Sequence, residues 1–206
     1  ELEAAGIQTD FYQQTGVYLL KKDESKLQEL YDLASNRREE SPLIADLSLL
    51  SRQEAQEKFP DLQGFERLLY ASGGARVEGS LLTETLVKAS KAELVEKKVR
   101  LTVEGEQLLV DGRSFDCVIL AVGAWLGEIL QPLGYETDVR PQKGQLRDFK
   151  LAEKTDDYPV VMPEGELDII PFPAGKVSVG ASHENDQGFD LTVDKTVLDQ
   201  LQQEAE

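Results

Sequence analysis

Between Phe115 and Val122 every residue except Asp116 is apolar. A strand with one wet face alternates polar and apolar residues, so this unbroken run predicts a strand buried on both faces. Such a strand belongs in a parallel or mixed sheet covered by helices, the architecture in which ligands sit at the carboxyl ends of strands. With few interruptions the apolar character runs from Cys117 to Leu126, about 10 residues against the roughly 20 that a membrane-spanning helix needs. No transmembrane segment is expected.

The rest of the chain is punctuated by Gly and Pro into short elements, without repeats or low-complexity tracts. Thr15 to Leu20 reads as a strand. A helix is expected near Ser25 to Ser35, with Leu27, Leu30, Tyr31 and Ala34 on one face, followed by a charged loop from Arg37 to Pro42. Ser51 and Glu54 have the spacing of a capping box, opening a helix that must end before Pro60. Leu68 to Tyr70 follows as a strand. Beyond Gly73-Gly74 a helix is expected from Ser80 to Lys91, burying Leu81, Leu82, Thr85, Leu86 and Ala89. Leu94 to Val103 and Gln107 to Val110 alternate around Gly105 as a hairpin. Val139 to Phe149, Val160 to Met162, Leu167 to Pro171 and Lys176 to Ala181 are turn-bounded strands that should form an antiparallel sheet. Val193, Val197, Leu198 and Leu201 recur at helical spacing. The class is α+β (mixed α/β), with intertwined stretches at residues 1–70, 71–136 and 137–206.

The chain of 206 residues carries 39 Asp+Glu against 22 Lys+Arg, a net charge of -17. That surface repels phosphate backbones and anionic headgroups, which argues against nucleic-acid and membrane-surface partners. The lone Cys117 excludes an internal disulfide, and no Cys/His cluster offers a structural zinc site. A reducing, cytoplasmic compartment fits, with Cys117 as an inert thiol buried in its strand. The sequence starts at Glu1 without an initiator Met or a basic-then-apolar leader, so it reads as processed or excerpted.

Two places invite chemistry. The run ends in Ala121-Val122-Gly123-Ala124-Trp125, where small residues would let a ligand approach the backbone N–H groups. An ordinary strand-to-helix turn is the competing reading. His183 is the only histidine. With an ordinary pKa of about 6.5 it can trade a proton near neutrality, although it could equally be a loop residue bonded to neighbouring acids. His183, Glu184 and Asp186 offer metal-binding donors, but acidic loops are commonplace in so acidic a chain, and no metal is expected. Ser182 is too close to His183 in sequence to form a nucleophile–base pair, and no nucleophile elbow occurs.

The stretch Cys117 to Trp125 resembles the AxGxW-type segment of the amino-acid oxidase family, flavoproteins that include glycine oxidase, D-amino-acid oxidase and sarcosine oxidase. Val77-Glu78-Gly79-Ser80-Leu81-Leu82 is similar to the family's entry into a flavin-domain helix. Val139-Arg140-Pro141-Gln142-Lys143-Gly144-Gln145 resembles its P-x-(K/R)-G-Q/E strand. Ile169-Ile170-Pro171 with Gly175 to Ser182 resembles its I-V-P-R…G…V-G-A-T hairpin. The four matches occur in the family's order and span nearly the whole chain.

The resemblance implies an FAD-dependent oxidoreductase that passes hydride from a small amine or amino acid to flavin. It implies a substrate-domain sheet from residues 1–70 and 137–206, and part of an FAD-binding βα subdomain from 71–136. Ala121, Gly123, Ala124 and Trp125 would lie beside the flavin, and Val99 would be a strand residue at the adenine. His183 and Asp168 would face the substrate. Two departures stand out: Asp168 replaces an aromatic hydroxyl, and Phe172 stands where the family has Arg. Neither the family's G-x-G-x-x-G turn nor its G-L-R-P segment occurs here. Losing the pyrophosphate site removes charge-assisted hydrogen bonds of roughly 1.5–3 kcal/mol each, so this chain alone is expected to bind negligible FAD and to be inactive. Pairing of two copies through a sheet edge is also compatible with such a chain. The competing reading is a non-catalytic acidic module that binds a cationic protein partner.

Overall fold

A computed structural model of the chain describes residues 2–205. After β1 (Tyr12–Gln13) and β2 (Val17–Leu19), helix α1 (Glu24–Arg38) begins where the Asp23 side chain accepts the Ser25 N–H at 2.8 Å. Arg37 and Arg38 occupy its last turn, where positive charge suits the unpaired carbonyls. The charged loop therefore starts later than the charge run alone suggested. β3 (Leu47–Ser51) passes into α2 (Arg52–Gln56) through the expected capping box, in which the Ser51 N–H donates to the Glu54 carboxylate at 2.8 Å. β4 (Arg67–Ala71), β5 (Arg76–Val77) and α3 (Gly79–Ser90) follow. Next come β6 (Leu101–Glu104), β7 (Gln107–Val110), β8 (Arg113–Ser114) and α4 (Leu126–Leu130). The chain then returns through β9 (Leu146–Lys150), β10 (Val160–Met162), β11 (Asp168–Pro171), β12 (Lys176–Gly180) and α5 (Lys195–Ala205).

These elements form two compact units. The larger comprises Glu1–Lys91, Gln145–Ser182 and Asp194–Glu206, and the smaller Ala92–Gly144 and His183–Val193. The larger unit is built on a seven-stranded sheet of order β3-β4-β2-β10-β11-β12-β9. Strands β10, β11, β12 and β9 are antiparallel as expected, but β2 joins β10 in parallel and ties the N-terminal strands into the same sheet. The class is mixed α/β.

Register explains the core. Leu50, Leu68, Tyr70, Tyr18, Val161, Ile169 and Val179 follow one another across one sheet face through the ladder pairings. On that face Tyr18, Leu68 and Val161 cluster with Ala55, Phe59, Leu62 and Phe65, while Leu201 of α5 closes over Val177 and Val179. Burying each such side chain stabilises the fold by about 1.5–3 kcal/mol. The Tyr18 hydroxyl donates to the Ala55 carbonyl at 3.1 Å, and burial pushes its pKa up to about 12. α1 packs against β3 and β4 and buries Leu27. Leu68 and its neighbour Leu69 are both fully buried, so β4 is covered on both faces.

Elsewhere the expected burial fails. Phe115 to Val122 forms no strand, Ile119 is 84% exposed, and Cys117 is an exposed thiol rather than a buried one. An apolar run becomes a central strand only when neighbours on both edges take its N–H and C=O groups, and no described residue does so here. α3 forms as expected, yet none of its residues is buried, and Leu81 and Leu86 are exposed. The β6–β7 hairpin turns at Gly105, but β6 starts at Leu101 instead of Leu94. Likewise the strand expected from Val139 is ordered as such only from Leu146. Among the described residues no helix is long and apolar enough to cross a membrane.

Candidate functional site

Gly123–Trp125 is a single 3-10 turn leading directly into α4 in the smaller unit. Gly123 has φ 49, in the left-handed region, so backbone conformation alone favours glycine there. Space points the same way: a Cβ built on Gly123 meets nothing within 4 Å. The space directly beside Gly123 is therefore open. Trp125 is 55% exposed and stacks on Phe189 with ring centroids 5.1 Å apart and planes 16° from parallel.

Phe189 lies in the same loop as His183, and that loop is fastened to the stretch before Gln145. Lys143 and Glu184 exchange two backbone hydrogen bonds, of 3.1 and 2.9 Å. The Lys143 ammonium, on a side chain only 9% exposed, approaches the Asp190 carboxylate at 3.4 Å. The Thr192 hydroxyl and N–H, and then Lys143, hold that carboxyl below its ordinary pKa. His183 is exposed, and its Nδ1 sits 3.2 Å from Gln142 Oε1. The Gln142 amide NH2 in turn donates to Asn185 at 2.8 Å.

Ala121 is exposed in the irregular segment before the turn. Val99, expected in a strand, instead lies in irregular backbone ahead of β6. The smaller unit thus contains Val99, Ala121, Gly123, Ala124, Trp125 and His183, whereas Asp168 belongs to the larger.

Asp168 opens β11 opposite Gly180, on the sheet face that also carries Ile170 and Ser178. It is half-buried, makes no hydrogen bond or ion pair with any described residue, and burial raises its carboxyl pKa. Gly180 is required by packing, since a Cβ there would lie 2.4 Å from Leu146 Cδ2 and 3.0 Å from the Gln145 carbonyl oxygen. Further along this face Ser178 donates to Asp148, and that bond, assisted by Lys176 at 3.2 Å, lowers the Asp148 pKa.

Phe172 offers a ring where the resembling family offers a cation, yet cations reach it from other positions. Arg76 lies 5.9 Å and Lys176 5.2 Å from its centroid. Arg76 is 4% exposed and donates to the Asp156 carbonyl at 2.6 Å and to Gln13. No group of three or more His, Cys, Asp or Glu side chains among the described residues could hold a metal ion.

Sequence reasoning did not single out Phe189, Asp190 or Asn185. Nothing in their spacing pairs them with residues more than forty positions earlier, and only a Gly-Phe-Asp turn after a polar run hinted at them.

Known proteins are similar to this chain over most of its length. The chain is 36% identical over 199 residues to the uncharacterized oxidoreductase YurR of Bacillus subtilis, covering 92% of this chain and 54% of that one. It is 34% identical over 207 residues to the glycine oxidase of Pseudomonas putida, covering 93% and 53%. The crystal structure of iminodiacetate oxidase from Chelativorans sp. BNC1 superimposes with a TM-score of 0.88 at 30% identity, over 99% of this chain and 58% of that one. The chain spans about half the length of the curated relatives it matches. The family of FAD dependent oxidoreductases designated DAO matches residues 1–206, and the chain belongs to that family.

Proposed function

We propose that the intact protein oxidises a small amine or amino acid in an FAD-dependent reaction. The observation that carries this reading is the Gly123 turn, left-handed and open, beside an exposed tryptophan in a chain of this family. FAD, when bound, supplies the acceptor for a hydride leaving the carbon next to the substrate nitrogen. The backbone of Ala121 and Gly123–Trp125 would hold the ring system, and Val99 would lie toward the adenine. His183 would take the proton that a substrate ammonium must lose before its nitrogen lone pair can assist departure of hydride. Asp168 would face the substrate. Raised by burial, its carboxyl keeps a proton more readily than an ordinary aspartate, and when ionised it can accept from an amine.

In this reading residues 1–70 and 137–206 build the substrate domain and residues 71–136 the flavin side. The relatives named glycine oxidase and iminodiacetate oxidase suggest small amino and imino acids as substrates. The lone cysteine fits a cytoplasmic site of action.

The full-length protein should purify with a flavin absorption band that glycine or iminodiacetate bleaches under anaerobic conditions. His183→Ala should then lower kcat/KM by roughly 10²–10⁴-fold while the band persists. A folded but colourless full-length protein, or a band that no small amine bleaches, removes the reading.

A further inference from the structure

We propose that Phe189, assisted by Asp190, is a positioning residue that latches the His183–Val193 loop onto the Gly123–Trp125 turn and so fixes where His183 stands. The catalytic half of this inference rests on the function proposed above. The latch itself does not.

The loop has little of its own to hold it. It forms no helix or strand, and Asp186 and Gly188 both adopt positive φ, at 61 and 57. At its base the Lys143–Glu184 backbone pair acts as a pivot. Beyond Glu184 the segment is held at Asn185 by Gln142 and, past its end, at Asp194, whose N–H donates to Gln145 at 2.8 Å. Between those points two further contacts tie it. The Phe189 ring lies flat on Trp125, and the Asp190 carboxylate meets the ammonium of Lys143, the residue that also forms the pivot. One lysine thereby anchors both ends of the segment, with its backbone at Glu184 and its side chain at Asp190.

The geometry favours positioning over simple burial. Trp125 and Phe189 are 55% and 42% exposed, so their contact covers one face of each ring while leaving edges in solvent. Stacked aromatics lose few rotatable bonds on pairing and hold a defined separation and tilt. Leu191, two residues further on, is 91% exposed and touches nothing comparable. His183 is next to the pivot and shares Gln142 with Asn185, so a loop released at Phe189 would also loosen the bridge that holds the imidazole. Small displacements of a catalytic group have large kinetic consequences.

Hydrogen exchange of the full-length protein, read by mass spectrometry over peptides spanning 183–193, tests the latch without reference to turnover. Phe189→Ala should speed exchange there about fivefold, Phe189→Tyr should restore protection, and Leu191→Ala should change nothing. Asp190→Asn should produce a smaller acceleration. In steady-state kinetics with an amine substrate, Phe189→Ala should lower kcat by roughly tenfold with the flavin spectrum unchanged, and Phe189→Tyr should recover most of it. Unchanged loop exchange in Phe189→Ala overturns the latch. Faster exchange with unaltered kcat overturns its positioning role. If wild-type protein turns over no amine at all, the proposed function fails, and the exchange result still decides the latch.

Discussion

The two units treat apolar residues in opposite ways. In the larger, Tyr18, Leu68, Leu69 and Val161 are sealed in β2, β4 and β10, interior strands with partners on both edges. In the smaller, Leu109 is the only hydrophobic residue among those described that is buried, and Phe115 and Ile119 stand in solvent. The apolar run of the smaller unit is at least as continuous as any strand of the larger. Hydrophobicity therefore set the capacity for burial, and the supply of backbone hydrogen-bond partners decided whether it was used. The glycines repeat the contrast. Gly180 is glycine because neighbouring atoms leave no room for a side chain, whereas Gly123 is glycine with room to spare.

The sharpest way to break this comparison is truncation. Leu68→Ala should cost about 2–5 kcal/mol in denaturant unfolding, whereas Ile119→Ala in the same chain should stay within roughly 0.5 kcal/mol. Equal losses would mean that the smaller unit has a core of its own. A smaller effect is expected at the α2 start, where Ser51→Ala removes the reciprocal capping bonds at a cost of about 1 kcal/mol. A loss near zero would show that this helix is held by packing alone.

The smallest effect concerns pH. Burial lifts the Asp168 pKa above its ordinary 3.8, so the folded chain binds that proton more tightly than the unfolded one. Its stabilising contribution is whole below pH 3.8 and fades as pH rises through the folded value. Asp168→Asn should therefore raise Tm relative to wild type near neutrality and leave it unchanged in acid. Asp148, lowered by Ser178 and Lys176, has the opposite sign: its stabilisation is present above 3.8 and lost on acidification, so Asp148→Asn should lower Tm near neutrality. A Tm difference for Asp168→Asn that does not depend on pH would show that its burial leaves its titration unperturbed.

Local signals in the sequence were the most readable. The capping box at Ser51 and Glu54, the Leu27 face of α1 and the Gly105 hairpin each depend on residues within a few positions of one another. The resemblance marked Gly123–Trp125 and His183 as candidates, and both belong to the smaller unit. Long-range pairings were not readable. No spacing rule joins β2 to β10 across more than a hundred residues, and none stacks Phe189 on Trp125.

The order of residues determined by itself where helices start, which faces could be apolar, and which turn was free of bulk, because these follow from propensity, periodicity and side-chain size. Only the tertiary structure decided which apolar segments were covered, that Gln142 meets both His183 and Asn185, and that burial rather than a neighbouring charge raises Asp168. Each of these depends on atoms brought together from distant parts of the chain, and it is the whole fold that brings them there.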